Sequence, residues 1–488
     1  MSKFLSTRNK SDIVDARTAV VRGLSPDGGL YVPEELPKLD YHELTGLPYY
    51  KMAARIMKAF FTDFSEEDID LSCEEAYELH FDTREVCPVV KKDDLYITEL
   101  FHGETCAFKD VALSILPRLM VRAQKSLGIT DKILILTATS GDTGSAAMNG
   151  FRNVPGTGIV TFFPNKGVSL LQRRQMVCMD GTNLTACAVN GNFDDCQSAV
   201  KEVFEHAKRP AGIRFSSANS INIARLIPQL GYYFATYLKL VEDGELKDGE
   251  ELSFIVPTGN FGDILAGYYA KQMGLPVGKL VCASNANNVL TDFLNTGIYD
   301  KRREFLKTLS PSMDILISSN LERLLYHMQG ENAQTVAEQM AALKKDGIYR
   351  IGDKALSEIK KTFAAYSCTD DETVSAIAGF FAKTGYVADP HTAVAIGCAK
   401  RFKVDYPGKK CAVLATASPC KFPASICKAL HMEESVDVFE TLNELGRKTG
   451  MVIPEALGKL QSARELHNDV IEKDALPEYV KNVCKQLF

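Results

Sequence analysis

The chain predicts an α/β fold of helix-covered, mostly parallel sheets. Three observations carry that prediction. Apolar runs of strand length recur at 96–100, 133–137, 158–163, 185–189, 252–256, 280–284 and 411–416, alternating with amphipathic helical stretches. Two of these runs lead directly into Gly-containing loops that open helices. The length, 488 residues, exceeds what one hydrophobic core accommodates and predicts two or three domains.

Residues 1 to about 95 read as mostly helical. The run Ser65-Glu66-Glu67-Asp68-Ile69-Asp70 starts a helix with its acidic groups near the positive end of the dipole, although such a run also serves simply as a solvated face. Ile133-Leu134-Ile135-Leu136-Thr137 suits a strand buried on both faces of a parallel sheet. It enters Ala138-Thr139-Ser140-Gly141-Asp142-Thr143-Gly144-Ser145, small residues that let a backbone approach a ligand. Leu252-Ser253-Phe254-Ile255-Val256 is a second such strand. It enters Pro257-Thr258-Gly259-Asn260-Phe261-Gly262-Asp263, then a helical run from Ile264 to Met273. In both units the helix turns its amide groups toward the loop, a cradle for a carboxylate or phosphate; the plainer reading of each is a Gly-rich turn. Neither loop carries a P-loop or dinucleotide signature. Asp243 to Glu250 is a charged surface connection, and 435–488 reads as helices without site chemistry.

Composition excludes several classes. At 45% hydrophobic and 24% charged residues the chain is of soluble globular type, and a net charge of -6 argues against a nucleic-acid partner. No apolar run spans a bilayer and no signal-peptide core follows Met1 to Lys10, so a cytoplasmic, membrane-free protein is expected. The 13 cysteines are odd in number and lack any CxxC pair. Several, such as Cys187, Cys282 and Cys411, sit in apolar strands and read as buried small hydrophobes in a reducing compartment. Cys106 is assigned to packing in preference to reactivity. Eight histidines show no metal spacing, so no metal is expected.

The most informative stretch is Phe101-His102-Gly103-Glu104-Thr105-Cys106-Ala107-Phe108-Lys109-Asp110. A lysine after an apolar pair either snorkels to water or is held partly desolvated. In the second case its amine loses its proton more readily and becomes a nucleophile towards aldehydes, as a lysine that holds pyridoxal 5'-phosphate as a Schiff base must.

The motifs taken in order resemble the threonine synthase family of fold type II pyridoxal-phosphate enzymes. The resemblance rests on Ser6-Thr7-Arg8, the run Gly23 to Pro33, Phe108-Lys109-Asp110, Ser140 to Ala147, Ser217-Ala218-Asn219-Ser220-Ile221-Asn222, Gly259-Asn260-Phe261-Gly262-Asp263, Asp389-Pro390-His391-Thr392-Ala393 and Thr416 to Pro423. It implies two helix-covered sheets with an added N-terminal helical domain at 1–95. A large cofactor-bearing domain would take 96–130 and 215–488, with a small domain inserted at 131–214. It implies that Lys109 holds pyridoxal 5'-phosphate and moves protons. The amides of Gly259, Asn260, Phe261, Gly262 and Asp263 would hold the cofactor phosphate, and Thr416 the pyridine nitrogen. Ser140, Gly141, Asp142 and Thr143 would bind the amino-acid end of the substrate. Two plainer readings stand beside these: Thr416 ends its strand, and Asp142 caps its helix. The implied substrate is O-phospho-L-homoserine, whose phosphate would meet Lys166, Ser169, Ser217, Asn219, Asn222 and Arg225. For Arg225 the plainer reading is a surface or interdomain ion pair.

The implied reaction gives L-threonine and phosphate, in a monomer or homodimer. Glu104 stands where the family commonly has proline, and Ser418 where it commonly has histidine. The nearest alternative is a threonine-synthase-like phospho-lyase giving 2-oxobutyrate. Another fold type II eliminating enzyme, and a non-catalytic binding protein for a phosphorylated metabolite, are further alternatives.

Overall fold

Six strands form the central sheet of this computed structural model, which describes residues 2–206 and 210–488. Met1 and residues 207–209, within the expected ranges 1–95 and 131–214, lie outside the described residues. The strand order is Phe363–Ser367, Val277–Ser284, Leu252–Pro257, Cys411–Ala415, Leu95–Glu99, Val89–Lys92. All neighbours run parallel except the last pair. Leu252–Pro257 and Cys411–Ala415 are buried along their whole length, as expected for parallel strands covered on both faces.

A second, all-parallel sheet has the order Asp469–Glu472, Leu184–Asn190, Thr157–Pro164, Lys132–Ala138, Ile213–Ser216. Its outer strand Asp469–Glu472 comes from the C-terminal stretch that reads as helical in sequence. Only four residues long and mostly exposed, it carries no apolar run to reveal it. The following helix Leu476–Leu487 packs on the helix Phe193–His206 and on Thr157–Pro164. Gly158 makes room there: a Cβ on it would lie 2.9 Å from the Phe488 ring.

The N-terminal part is also less helical than its sequence suggests. Asn9–Asp15, Lys3–Ser6 and Tyr31–Pro33 form a three-stranded antiparallel sheet beside the helices Ala16–Arg22, Tyr49–Phe60 and Glu66–Tyr77. Ser65 caps the last of these by accepting from Asp68 N, with three acidic groups in the first turn. The motif Ser6-Thr7-Arg8 anchors this part to the rest. Arg8 pairs with Glu322 at 2.8 Å, and Thr7 Oγ1 donates to the same carboxylate at 2.5 Å. Beside it the fully buried Arg323 donates to Tyr31 O at 2.8 Å and to Ile221 O at 2.5 Å.

Candidate active site

Four chain segments leave the carboxyl ends of strands and meet between the two sheets, where open α/β sheets place ligands. From Leu95–Glu99 the chain runs to Lys109, the first residue of the helix Lys109–Leu113. From Cys411–Ala415 it runs to Thr416, whose carbonyl accepts from Phe108 N at 2.8 Å. The third segment is 258–261, and the fourth leads from Lys132–Ala138 to Gly141 and the helix Asp142–Phe151.

Lys109 is turned inward. Its side chain is 11% exposed, and Nζ lies 3.4 Å from Ser312 Oγ and 3.7 Å from Asp142 Oδ2. Burial pushes its pKa below that of an ordinary lysine; Lys421 and Arg225 add to this and Asp142 opposes it. Asp142 does not cap its helix. Its buried carboxylate accepts from Lys421 Nζ at 2.7 Å, Gln172 Nε2 at 2.9 Å and Ser312 Oγ at 3.2 Å. Although burial alone would raise its pKa, the two lysines hold it far below the ordinary carboxylate range. The helix amides of Asp142 and Thr143 meet no acceptor among the described residues, while Thr139 Oγ1 accepts from Gly141 N and Gly144 N, both at 3.0 Å.

The loop before the helix Gly262–Met273 has the form of an anion cradle. The amides of Gly259, Asn260, Phe261 and Gly262 meet no acceptor among the described residues, although all of these residues except the exposed Asn260 are buried. Phe261 holds a left-handed φ of 65°, which costs a non-glycine residue roughly 1–2 kcal/mol; its fully buried ring packs on Phe363. Gly259 is pressed under the 310–313 segment: a Cβ there would lie 2.8 Å from Ser312 O. Gly259→Ala is therefore expected to displace this carbonyl and lower affinity for an anion in the cradle by at least about tenfold, measurable by titration with pyridoxal phosphate.

Asp263 follows directly, buried, with Oδ1 accepting from Ile264 N at 2.8 Å. Burial pushes its pKa up to about 7, so the acid is largely neutral below that value and adds little negative charge to the cradle. The folded pKa exceeds the unfolded one of 3.8, so the folded chain binds this proton more tightly. The resulting stability is present below pH about 4 and is lost as pH rises through about 7. Asp263→Asn is expected to flatten the thermal midpoint of the ligand-free chain across that window, measured by scanning calorimetry. An unchanged slope would refute the assignment.

Arg225 is 3% exposed and has no carboxylate partner among the described residues. Nη1 donates to Ala218 O at 2.6 Å, and Nε is buried without a hydrogen-bond partner among the described residues. Burial pushes its pKa down to about 10. The ion-pair reading is thus replaced by a buried cation lacking an anion among the described residues. Its helix, Ile223–Leu226, packs on Lys109–Leu113 and on Gly262–Met273, which places it beside both lysine and cradle.

Other expected residues stand apart. Asn222 caps the helix Ile223–Leu226 through Oδ1 and donates Nδ2 to Val20 O at 2.9 Å, so it is not the ligand-facing partner of Arg225 that helical spacing suggests. Ser217 Oγ accepts from Asn219 N at 3.3 Å, and both line, with Asn222, a cavity of about 750 Å³ that includes neither Lys109 nor Arg225. Lys166 and Ser169 are exposed, and Ser169 caps the helix Leu170–Val177. Ser140 is exposed and Thr143 half-buried. Thr416 is buried, and no hydrogen bond among the described residues uses its hydroxyl.

Sequence reasoning missed Lys421, Ser312 and Gln172 as members of this site. It also left His391 without a role. Its Nδ1 lies 2.7 Å from Asp389 Oδ1, and Nε2 accepts from Ser312 N at 3.2 Å, which orients the serine toward Lys109. The signal for Lys421 was present: a lysine among apolar residues, the argument that singled out Lys109. Ser418 caps the turn Pro419–Lys421 by accepting from Cys420 N at 3.3 Å. Cys106 is 1% exposed with its thiol pKa pushed up by burial, in keeping with packing. All 13 cysteines are free.

An inward lysine of lowered pKa, an anion cradle with spare amides and a free hydroxyl at a strand end fit the aldehyde, phosphate and ring nitrogen of pyridoxal 5'-phosphate in their chemistry. The family "Pyridoxal-phosphate dependent enzyme" matches residues 88–417, so fold and site together define a pyridoxal-phosphate-dependent enzyme. The families "Threonine synthase N terminus" and "Threonine synthase, C-terminal" match 3–77 and 392–481. Threonine synthase from Pseudomonas aeruginosa is 38% identical, covering 96% of this chain and 99% of its own. Human threonine synthase-like 1 is 38% identical over 96% of this chain, which spans 63% of that longer protein. The crystal structure of pyridoxal-phosphate-bound threonine synthase from Brucella melitensis superimposes with a TM-score of 0.89, 38% identity and 99% coverage of both chains. The yeast enzyme gives a TM-score of 0.89 at 32% identity, again covering 99% of each. The chain belongs to the threonine synthase family.

Proposed function

We propose that the site converts O-phospho-L-homoserine and water to L-threonine and phosphate. The observation that carries this reading is the pairing of a lysine suited to pyridoxal phosphate with Arg225, a buried cation without an anion, beside it. The bound cofactor supplies an electron sink for the pair left when the α-proton is removed. Everything else falls to the chain. Lys109 takes the proton from Cα and returns one at Cγ after phosphate has left. Gly259 to Asp263 and Thr416 hold the cofactor. Arg225 takes a phosphate oxygen pair, with Lys166, Ser169, Ser217 and Asn219 as groups that reach the substrate only after the two sheets approach. The free amides of Asp142 and Thr143, with Ser140 and Gly141, receive the substrate carboxylate; the Asp142 side chain, already paired with lysine, does not.

The three-part division at about 95, 131 and 214 belongs to this reading, with the part carrying 140–143 moving onto the other to exclude water from early steps. Thirteen free thiols support a reducing compartment such as the cytoplasm, and the net charge of -6 supports small-molecule partners without nucleic acid. Among the described residues no helix is long and apolar enough to cross a membrane. A monomer or homodimer completes the reading. Incubation with pyridoxal phosphate and O-phospho-L-homoserine, with phosphate, threonine and 2-oxobutyrate quantified together, tests it. Threonine is expected in step with phosphate. The second reading, a phospho-lyase, is favoured by Ser418 in place of histidine and predicts 2-oxobutyrate in step with phosphate instead.

A further inference from the structure

Two lysines and one carboxylate meet inside this molecule, and their geometry is uneven. Asp142 opens a helix after a strand of the five-stranded sheet, whereas Lys421 follows a strand of the six-stranded sheet. The contact between them therefore crosses from one layer to the other. Lys421 Nζ lies 2.7 Å from Asp142 Oδ1 and donates to Thr105 O, also at 2.7 Å; its side chain is fully buried. Lys109 Nζ stands 3.7 Å from Oδ2, beyond hydrogen-bond distance, and reaches Ser312 Oγ instead. Gln172 Nε2 donates to the same Oδ1 at 2.9 Å, and Ser312 Oγ donates to Oδ2 at 3.2 Å, so the oxygen nearest Lys109 is already shared with the serine.

The charges facing Lys109 are Asp142 and Asp263 on one side of the balance, Lys421 and Arg225 on the other. Asp263 is the weaker anion, because burial favours its neutral form. Asp142 is thus the principal group able to hold Lys109 as an ammonium, and Lys421 already occupies it. A second buried cation competing for one carboxylate disfavours protonation of the first.

We propose that Lys421 is a positioning residue for Lys109: by drawing the Asp142 carboxylate to itself across the two sheets at 2.7 Å, it leaves the Lys109 amine only a longer and weaker contact with that carboxylate, at 3.7 Å, and therefore more available as a neutral nucleophile. This rests on Lys109 being the cofactor-binding lysine. Addition of the amine to an aldehyde forms the carbon–nitrogen bond with its lone pair and expels the carbonyl oxygen as water. An ammonium has no lone pair to give.

The test is competitive acetylation of the full-length chain freed of cofactor, as a function of pH, read by mass spectrometry of the Lys109 peptide. Lys421→Met is expected to raise the Lys109 midpoint by about one pH unit or more, a tenfold loss of neutral amine at pH 7. Lys421→Gln, which keeps a donor for Thr105 O, is expected to do the same should the methionine variant fail to fold by circular dichroism. Lys421→Arg is expected to hold the wild-type midpoint, and Asp142→Asn to lower it. A purely structural role would not move the midpoint in opposite directions. Midpoints unchanged in folded Lys421→Gln overturn the proposal. Separately, borohydride reduction of wild-type protein loaded with pyridoxal phosphate must leave the label on Lys109. A label elsewhere overturns the cofactor assignment itself, and the proposal with it.

Discussion

Lys109→Ala is expected to reduce phosphate release from O-phospho-L-homoserine by about 10⁴-fold or more, with the protein still folded. General acid–base transfer by a positioned group contributes roughly 10²–10⁴ in rate, and in the proposed reaction one amine serves at Cα and Cγ and also holds the cofactor. Loss of fold is not the expected cause. Asp142 keeps Lys421 at 2.7 Å, Gln172 and Ser312 as partners when Lys109 is removed, so no unpaired buried carboxylate is created. Lys109→Arg separates chemistry from charge. It restores a cation in the same place, but a guanidinium does not deprotonate and so takes no proton from carbon. Both variants are expected to show the wild-type circular dichroism spectrum. Turnover in Lys109→Arg above about a hundredth of wild type would exclude Lys109 as the base.

Arg225→Met is expected to move two measurements in opposite directions. The guanidinium is buried, and among the described residues it makes one hydrogen bond, to Ala218 O, and leaves Nε without a partner. A buried charge without a counter-ion destabilises the chain that carries it, and an apolar side chain of similar length removes that cost. The thermal midpoint of the ligand-free variant is therefore expected to rise by a few degrees. kcat/KM for the phosphate ester is expected to fall roughly 30- to 1000-fold, since truncating one partner of a buried charge-assisted pair costs about 2–4 kcal/mol. Affinity for pyridoxal phosphate, by absorbance titration, is expected to change much less. Unchanged steady-state kinetics would reject the phosphate role. A fall confined to cofactor affinity would reassign Arg225 to the cofactor phosphate.

The seven apolar runs of strand length appear as strands because they are buried on both faces, and burial on both faces demands hydrophobicity that is visible in one dimension. The strands that escaped notice are short or lie at edges. Asp469–Glu472 has three exposed residues of four, and Asn9–Asp15 has none that is buried. Edge strands owe their existence to a partner's free backbone groups, not to their own side chains. The same divide runs through the site. Lys109 and the 259–263 loop declare themselves locally, one by an ionisable group among apolar neighbours, the other by glycines before a helix. Lys166, Ser169 and Asn222 have the same credentials in sequence. Folding uses Ser169 and Asn222 as helix caps and leaves Lys166 exposed.

By itself the sequence determined the two-sheet α/β class, and it singled out Lys109 and the glycine-containing loop at 259–263. Each depends on residue type and local spacing. Only the tertiary structure decided which charges meet. Lys421 is 279 residues from Asp142 in the chain yet 2.7 Å from it in space, Ser312 is held by His391 from another segment, and Arg225 is buried without a counter-ion among the described residues. Electrostatic interactions depend on distance and on burial, and neither quantity is written in the order of residues.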